Sequence, residues 1–378
     1  MYILIGADIV PTKSNVDLFT NRDAKALVGT ELVELLDGAS YRIFNLETPL
    51  ADVERPIVKQ GPNLIAPTAA VAGYNALKTD LLTLANNHIM DQDVQGLHST
   101  VAALDGAGIG HVGTGDSLDE ASAPYFFEFA GRRVGVYACT EHEFSIAGEQ
   151  TPGANPYDPL WSFDHVAALK QEADYVIVLY HGGKEEYRYP SPMLQKVCRR
   201  FVDKGADLVI CQHSHCIGCR EDYKKGTIVY GQGNFLFDEC DNEYWQTSLL
   251  VRLDDRFEVS HVPLVKNGKG VRLADGAAAN AILKGFGERS SEIREAGFVE
   301  SRYRGYAEGC LANYLGALSG NKAVTQKILN RLSAGAYYPR LYRRRYGAPQ
   351  KRGIINYIEC ESHRELLLQA LRESDGQL

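Results

Sequence analysis

Apolar, β-branched runs of strand length recur along the chain as far as Val265: YILIGADIV, RIFNL, LLTLANN, RRVGVYACT, YVIVLYHGG, LVICQHSH, TIVYGQGNFLF and SLLVRL. Runs of this kind suit buried strands. Between several of them the apolar spacing changes to a helical period. Val94, Leu97, Val101 and Leu104 form one stripe, and Leu194, Val197, Phe201 and Val202 another; they close near Gly108 and Gly205. Strands alternating with helices predict an α/β fold whose sheet is covered on both faces.

After Val265 the strand signal stops. ADGAAANAILKGFGERSSEIREAGF and ESHRELLLQALRES read as helices, with a loop-like basic stretch between them. The change places a boundary near residue 267: residues 1–266 form the α/β domain, and 267–378 a smaller, mainly helical, basic C-terminal region. The segment SIAGEQTPGANPYDPLWSFD has the densest Pro/Gly signal and is expected as a long loop inside the first domain.

Composition narrows the class. In a chain of 378 residues, 45% hydrophobic content can fill one large domain and a smaller one. No window of about 18 uninterrupted apolar residues predicts a membrane span, and MYILIGADIV meets an Asp too soon for a secretory segment. A cytoplasmic location is expected. Eight cysteines are too few for a disulfide scaffold of this length, and several lie in apolar runs, as buried thiols do. The net charge of −8 argues against wholesale nucleic-acid binding, yet Gly320 to Ile358 contains no acidic residue and many Lys and Arg, with Arg343, Arg344 and Arg345 consecutive.

Ligand sites of α/β sheets form where strands end. Polar clusters sit at such places: Asp8 after YILIGA, Asn45 and Glu47 after YRIF, Asn86, Asn87 and His88 after LLTLA, His181 after YVIVLY, and His213 with His215 after LVICQ. Any one of them has a bland reading as a turn, cap or satisfied core residue. Oxygen and imidazole donors recurring at five strand ends point to one or two divalent cations, with Mn, Fe or Zn favoured and Mg a further candidate. A closed Cys/His zinc knot is the rival. Cys216 and Cys219 have one suitable spacing, but no second pair completes four ligands, and Cys211 lies inside the apolar strand pattern.

At this point the residues resemble the bacterial CapA-type capsule and poly-γ-glutamate synthesis proteins. The likeness rests on NLETPL, LANNHIMDQDVQGLHSTVAALDGAGIGHVGTG, HGGKEEYRYPSP, GADLVICQHSH and TIVYGQGNFLFD. It implies a calcineurin-type metallophosphoesterase-like β-sandwich core flanked by helices. It further implies metal ligation by Asp8, Glu47 as the bridging carboxylate with Asn45 as the fallback, Asn87, His181, His213 and His215. His88 takes the place of the general acid. The chain departs from the superfamily pattern at Val10, where a His ligand is usual, and at Gln212, where a Gly is usual.

Asp91 is placed either to orient His88 or to cap a helix. Lys59, Glu141, Glu143 and Glu185 lie in loops beside strand ends and are candidates for substrate contacts, with solvated loop charges as the plain alternative. Three functions of different class follow: a metal-dependent hydrolase acting on a phosphorylated sugar or anionic polymer, a non-hydrolytic capsule or poly-γ-glutamate assembly or ligation factor working with capsule-assembly proteins, and a scaffold holding anionic polymer through the basic tail. His88 beside Asn87 favours the first over the third.

Overall fold

A computed structural model of the chain describes residues 1–238, 240–318 and 323–375. It divides into two compact units, Met1–Val299 and Glu300–Leu378. In the first unit the strands follow in chain order as β1 (Tyr2–Ile9), β2 (Tyr41–Leu46), β3 (Leu81–Thr83), β4 (Gly110–Val112), β5 (Thr114–Gly115), β6 (Tyr125–Phe129), β7 (Arg132–Thr140), β8 (Gly153–Ala154), β9 (Tyr175–His181), β10 (Leu208–Gln212), β11 (Arg220–Tyr223), β12 (Gly226–Tyr230), β13 (Asn234–Leu236), β14 (Thr247–Asp254), β15 (Val259–Asn267) and β16 (Gly270–Leu273). One sheet runs β16-β15-β14-β1-β2-β3-β4 with β13 added beside β1; the other runs β11-β12-β10-β9-β7-β6. β1 to β4 are mutually parallel, as are β7, β9, β10 and β12.

The period-two side-chain alternation of the strands builds the layers. In β9, Ile177 and Leu179 enter an apolar layer between the sheets, where they meet Ile3, Ile5 and Ile43. Val176, Val178 and Tyr180 face outward, under Val166 and Leu169 of the helix Ser162–Glu172 and Val197 and Phe201 of the helix Pro192–Asp203. The first sheet's outer face, with Leu4, Phe44 and Leu82, is covered by Leu32 and Leu36 of Thr30–Gly38 and Leu97 and Leu104 of Asp93–Ala107. Burying each such Leu or Phe stabilises by about 1.5–3 kcal/mol relative to exposure, which is why two-sided strands read as continuous apolar runs.

The expected fold class is the one the chain adopts: an α/β sandwich flanked by helices, followed by a mainly helical C-terminal region. The helix boundaries follow local chemistry. Ser191 caps the helix that starts at Pro192 by accepting from Leu194 N at 3.0 Å. Gly108, with φ +70°, ends Asp93–Ala107 in the left-handed conformation that glycine adopts without strain. The Pro/Gly-rich segment is not featureless, since it contributes β8, which pairs with β5.

Beyond β16 the helix Gly276–Glu292 lies in the first unit, past the boundary read near residue 267. Phe286 packs with Ile217 and Leu249, and Arg289 Nε donates to the Gly218 carbonyl at 2.7 Å. The basic stretch expected as a loop is instead helical over Ala323–Leu332, Tyr337–Arg345 and Ala348–Glu359. Arg, Lys, Leu and Ala are good helix formers, and Pro339 and Pro349 fall in first turns, where a missing N–H costs little. Gly320 and Lys322, at the start of the acid-free stretch, lie outside the described residues. No helix among the described residues is long and apolar enough to cross a membrane.

Candidate metal centre

Strand register brings the polar residues together. Asp8 of β1 pairs with Asn45 of β2 and with Asn234 of β13. Asn45 Nδ2 donates to Asp8 Oδ1 at 2.8 Å, and Asn86 Nδ2 donates to Asn45 Oδ1 at 3.0 Å. Glu47 follows immediately after β2. From the other sheet, His181 ends β9 opposite Gln212, the last residue of β10. His213 and His215 then take φ values of +80° and +51°. Left-handed backbone at two non-glycine residues is uncommon and costs of order 1–3 kcal/mol per residue. Packing holds this loop closely: a Cβ on Gly218 would stand 1.6 Å from the Tyr230 carbonyl oxygen.

Two groups of donors result: Glu47, His181 and His213, and Asp8, Glu47 and His215, the donor atoms of each lying within 4.8 Å of one another. Glu47 belongs to both. His181 Nε2 is the focus of the first group, 3.2 Å from Glu47 Oε1, 3.1 Å from His213 Nδ1 and 3.0 Å from Asn87 Oδ1. In the second, His215 Nδ1 lies 3.5 Å from Asp8 Oδ2 and 2.9 Å from Asn234 Oδ1.

Both carboxylate oxygens of Glu47, and Oδ2 of Asp8, are buried with no donor beside them except the imidazoles of His181, 3.2 Å from Glu47 Oε1, and His215, 3.5 Å from Asp8 Oδ2. A buried carboxylate in that state is costly unless a cation satisfies it. These buried oxygens, with imidazole nitrogens at the same focus, fit divalent cations.

The electrostatics have the same origin. Burial opposes charge on His215, but the carboxylates of Glu47 and Asp8 push its imidazole up to about 10. At His181 burial is again outweighed, chiefly by Glu47, and the imidazole rises above its usual value. Burial would raise Asp8, yet its hydrogen bond from His215 and the charge of His181 keep its carboxyl below the usual range. His213 is held well below its ordinary value by burial and by the two neighbouring imidazoles.

His88 stands beside this cluster. Its Nδ1 lies 2.6 Å from Asp91 Oδ2, which also accepts from Leu64 N at 2.6 Å. Asp91 is fully buried against His88 and does not cap the following helix, which begins after Gln92 without a side-chain cap. The Lys59 ammonium contacts Asp91 Oδ1 and lies 3.3 Å from His88 Nδ1, with its side chain only 2% exposed. Lys59 is thus packed against the His88–Asp91 pair. Glu141 Oε1 is 3.7 Å from His213 Nε2, and Glu143 accepts from Asn87 Nδ2 at 2.8 Å, so both abut residues of the donor cluster. Burial raises the Glu141 carboxyl. Glu185 is exposed on its loop and joins none of these contacts.

Sequence reasoning gave no role to Trp245 and Phe237, whose rings lie 4.8 and 5.7 Å from that of His215. Phe237 falls within TIVYGQGNFLFD just after β13, and Trp245 lies on the short 3-10 helix Glu243–Gln246, outside the motifs. Asn86 carried the strand-end signal and the structure makes it a support of Asn45, while Asn234, outside those clusters, contacts His215. The cysteines stand apart. Cys211 Sγ faces Cys198 Sγ at 3.5 Å in the outer layer of the second sheet, and burial pushes the Cys216 thiol up to about 11. Neither donor group contains a cysteine among the described residues.

Comparison with known proteins agrees with the capsule-type motifs. The model of the bacterial capsule synthesis protein PGA_cap family matches residues 5–239. The chain is 28% identical over 240 residues to the capsule biosynthesis protein CapA of Bacillus anthracis, covering 59% of this chain and 58% of that one. To the PGA biosynthesis protein CapA of Bacillus subtilis it is 30% identical over 195 residues, 49% of this chain and 50% of that one. The chain thus spans about half the length of these curated relatives. Among solved structures, a novel phosphatase from Mycoplasma pneumoniae aligns over 71% of this chain and 94% of its own, at 13% identity and a TM-score of 0.42. Since the family model covers more than half of the sequence, this chain belongs to the bacterial capsule synthesis protein PGA_cap family.

Proposed function

We propose that the chain is a metal-dependent, phosphoesterase-like hydrolase acting in the biosynthesis of capsule or another surface polymer. The observation that carries this reading is Glu47: it joins two donor groups, has both oxygens buried with no donor beside them except histidine, and lies near an oriented His88. Divalent cations held by Asp8, Glu47, Asn87, His181, His213 and His215 would supply Lewis acidity towards an anionic ester. His88, with Nδ1–H donated to Asp91, presents Nε2 as the atom that hands a proton to the leaving oxygen. Lys59 fixes Asp91, and Glu141 and Glu143 border the substrate side. The substrate is a phosphorylated sugar or an anionic polymer precursor. A cytoplasmic location belongs to the same proposal.

A second reading is favoured by Val10, which is buried and offers no donor where the calcineurin-type pattern has a His. Under it the chain is an assembly or ligation factor that keeps the metal site without turnover. Metal analysis of the purified chain after loading with Mn, Fe, Zn or Mg, followed by a phosphoester screen, decides between them. Bound metal with hydrolysis supports the first reading, and bound metal without hydrolysis the second. Absence of metal after loading with each ion overturns both.

A further inference from the structure

We propose that the C-terminal unit docks on an anionic lipid surface, lying along the membrane rather than crossing it. Two independent features of the unit carry this. The first is charge. From Ala323 to Ile358 every charged side chain is a cation, although the whole chain carries −8. The helix Tyr337–Arg345 places Arg343, Arg344 and Arg345 in its last turn, and Lys351 and Arg352 follow in the helix Ala348–Glu359.

The second is the exposure of apolar side chains on the same helices. On Ala323–Leu332, Val324, Ile328 and Leu332 are 69%, 53% and 79% exposed. They are four residues apart and share one face, flanked by Lys327 and Arg331. On Ala348–Glu359, Ile355 and Ile358 are 51% and 58% exposed, with Lys351 one turn before them. Exposed aliphatic stripes bordered by cations are what an interfacial helix presents to headgroups and acyl chains. Helices of this length are far too short to span a bilayer.

The same features weigh against other occupants. A second copy meeting the same stretch face to face would set cation against cation. A soluble polyanion, nucleic acid or acidic polymer alike, would neutralise the charge but leave the aliphatic stripe in water. An anionic lipid surface accommodates both.

The test is co-sedimentation of the full chain with vesicles containing phosphatidylglycerol, against vesicles of phosphatidylcholine alone. Binding is expected only to the first and should weaken as salt is raised from about 0.05 to about 0.5 M. Each cation near the surface is worth roughly fivefold in partitioning, so Arg343→Ala, Arg344→Ala and Arg345→Ala together should weaken binding by about a hundredfold. Ile328→Ser with Leu332→Ser should weaken it as well. All five positions lie on the helical tail, so the circular dichroism and metal content of the variants should match those of the parent. Failure to bind phosphatidylglycerol vesicles at low salt overturns the proposal. So does a serine variant that binds as well as the parent, which would make the stretch a polyanion site. A lipid-free dimer that the serine pair dissociates would assign the stripe to a second copy instead.

Discussion

The two units break the usual partition of side chains in opposite directions. The first buries polar groups, with Asp8, Asn45, Glu47, Asn86 and His181 all at or below 1% exposure. The second exposes apolar ones, with Leu332 at 79% and Leu366 at 70%. Neither arrangement is stable for its own sake, because a buried charge wants a counter-charge and an exposed aliphatic face wants a cover. On the two proposals above, the partner is a cation in one case and an apolar, anionic surface in the other.

The largest expected effect breaks the first half of this comparison. Glu47→Gln should abolish metal binding by both donor groups at once, whereas Asp8→Asn should remove only the group containing His215. Elemental analysis reads both. Undiminished metal in Glu47→Gln would make the buried polar set a structural network. Next comes His88→Ala, which should lower any phosphoester turnover by roughly 10² to 10⁴ with metal content unchanged. Loss of metal in that variant would move His88 into the ligand set.

Asp91→Asn should cost about 3–5 kcal/mol in denaturant unfolding, because it leaves the Lys59 ammonium buried without its carboxylate. Adding Lys59→Met should recover much of that loss, and additive costs would show that the pair is not coupled.

A smaller effect concerns pH. His215 is raised towards about 10, so in metal-free protein its contribution is complete below its unfolded value, roughly 6.5, and is lost as pH rises through about 10. Thermal melts of the metal-free chain should therefore fall over that window and flatten in His215→Ala. Metal uptake near pH 7 should release protons, chiefly from His215 and His181, which calorimetry in buffers of different ionisation enthalpy would detect. The smallest effect sharpens the second half of the comparison. Leu332→Ser should change stability by less than about 0.5 kcal/mol, while Leu97→Ala in the core should cost about 2–5.

Much of the first unit was legible because its physics is local. Strand runs, helix stripes and their glycine stops gave the α/β layering, and donors at strand ends pointed to the cluster. What was not legible depends on pairing across the chain. Nothing in the residues around Lys59 says that its ammonium reaches Asp91, and nothing around Trp245 says that its ring meets His215. The tail was misread as a loop because its period is short and its residues strongly charged. Its helices follow from propensity over a stretch where no apolar core imposes a pattern.

The donors come from both sheets: Asp8 and Glu47 from the first, His181, His213 and His215 from the second. A cation held among them would therefore act as a rivet between layers that otherwise meet mainly through apolar contact, with few polar links such as Gln212 Nε2 donating to the Gly6 carbonyl at 3.1 Å. Its focus exists only once sequence-distant strands have closed on each other, so loading follows folding rather than guiding it. The bound ion would then slow any motion that slides one sheet over the other. Chelation should accordingly be felt in the hydrogen exchange of β1 and β9, as a loosening of the whole sandwich.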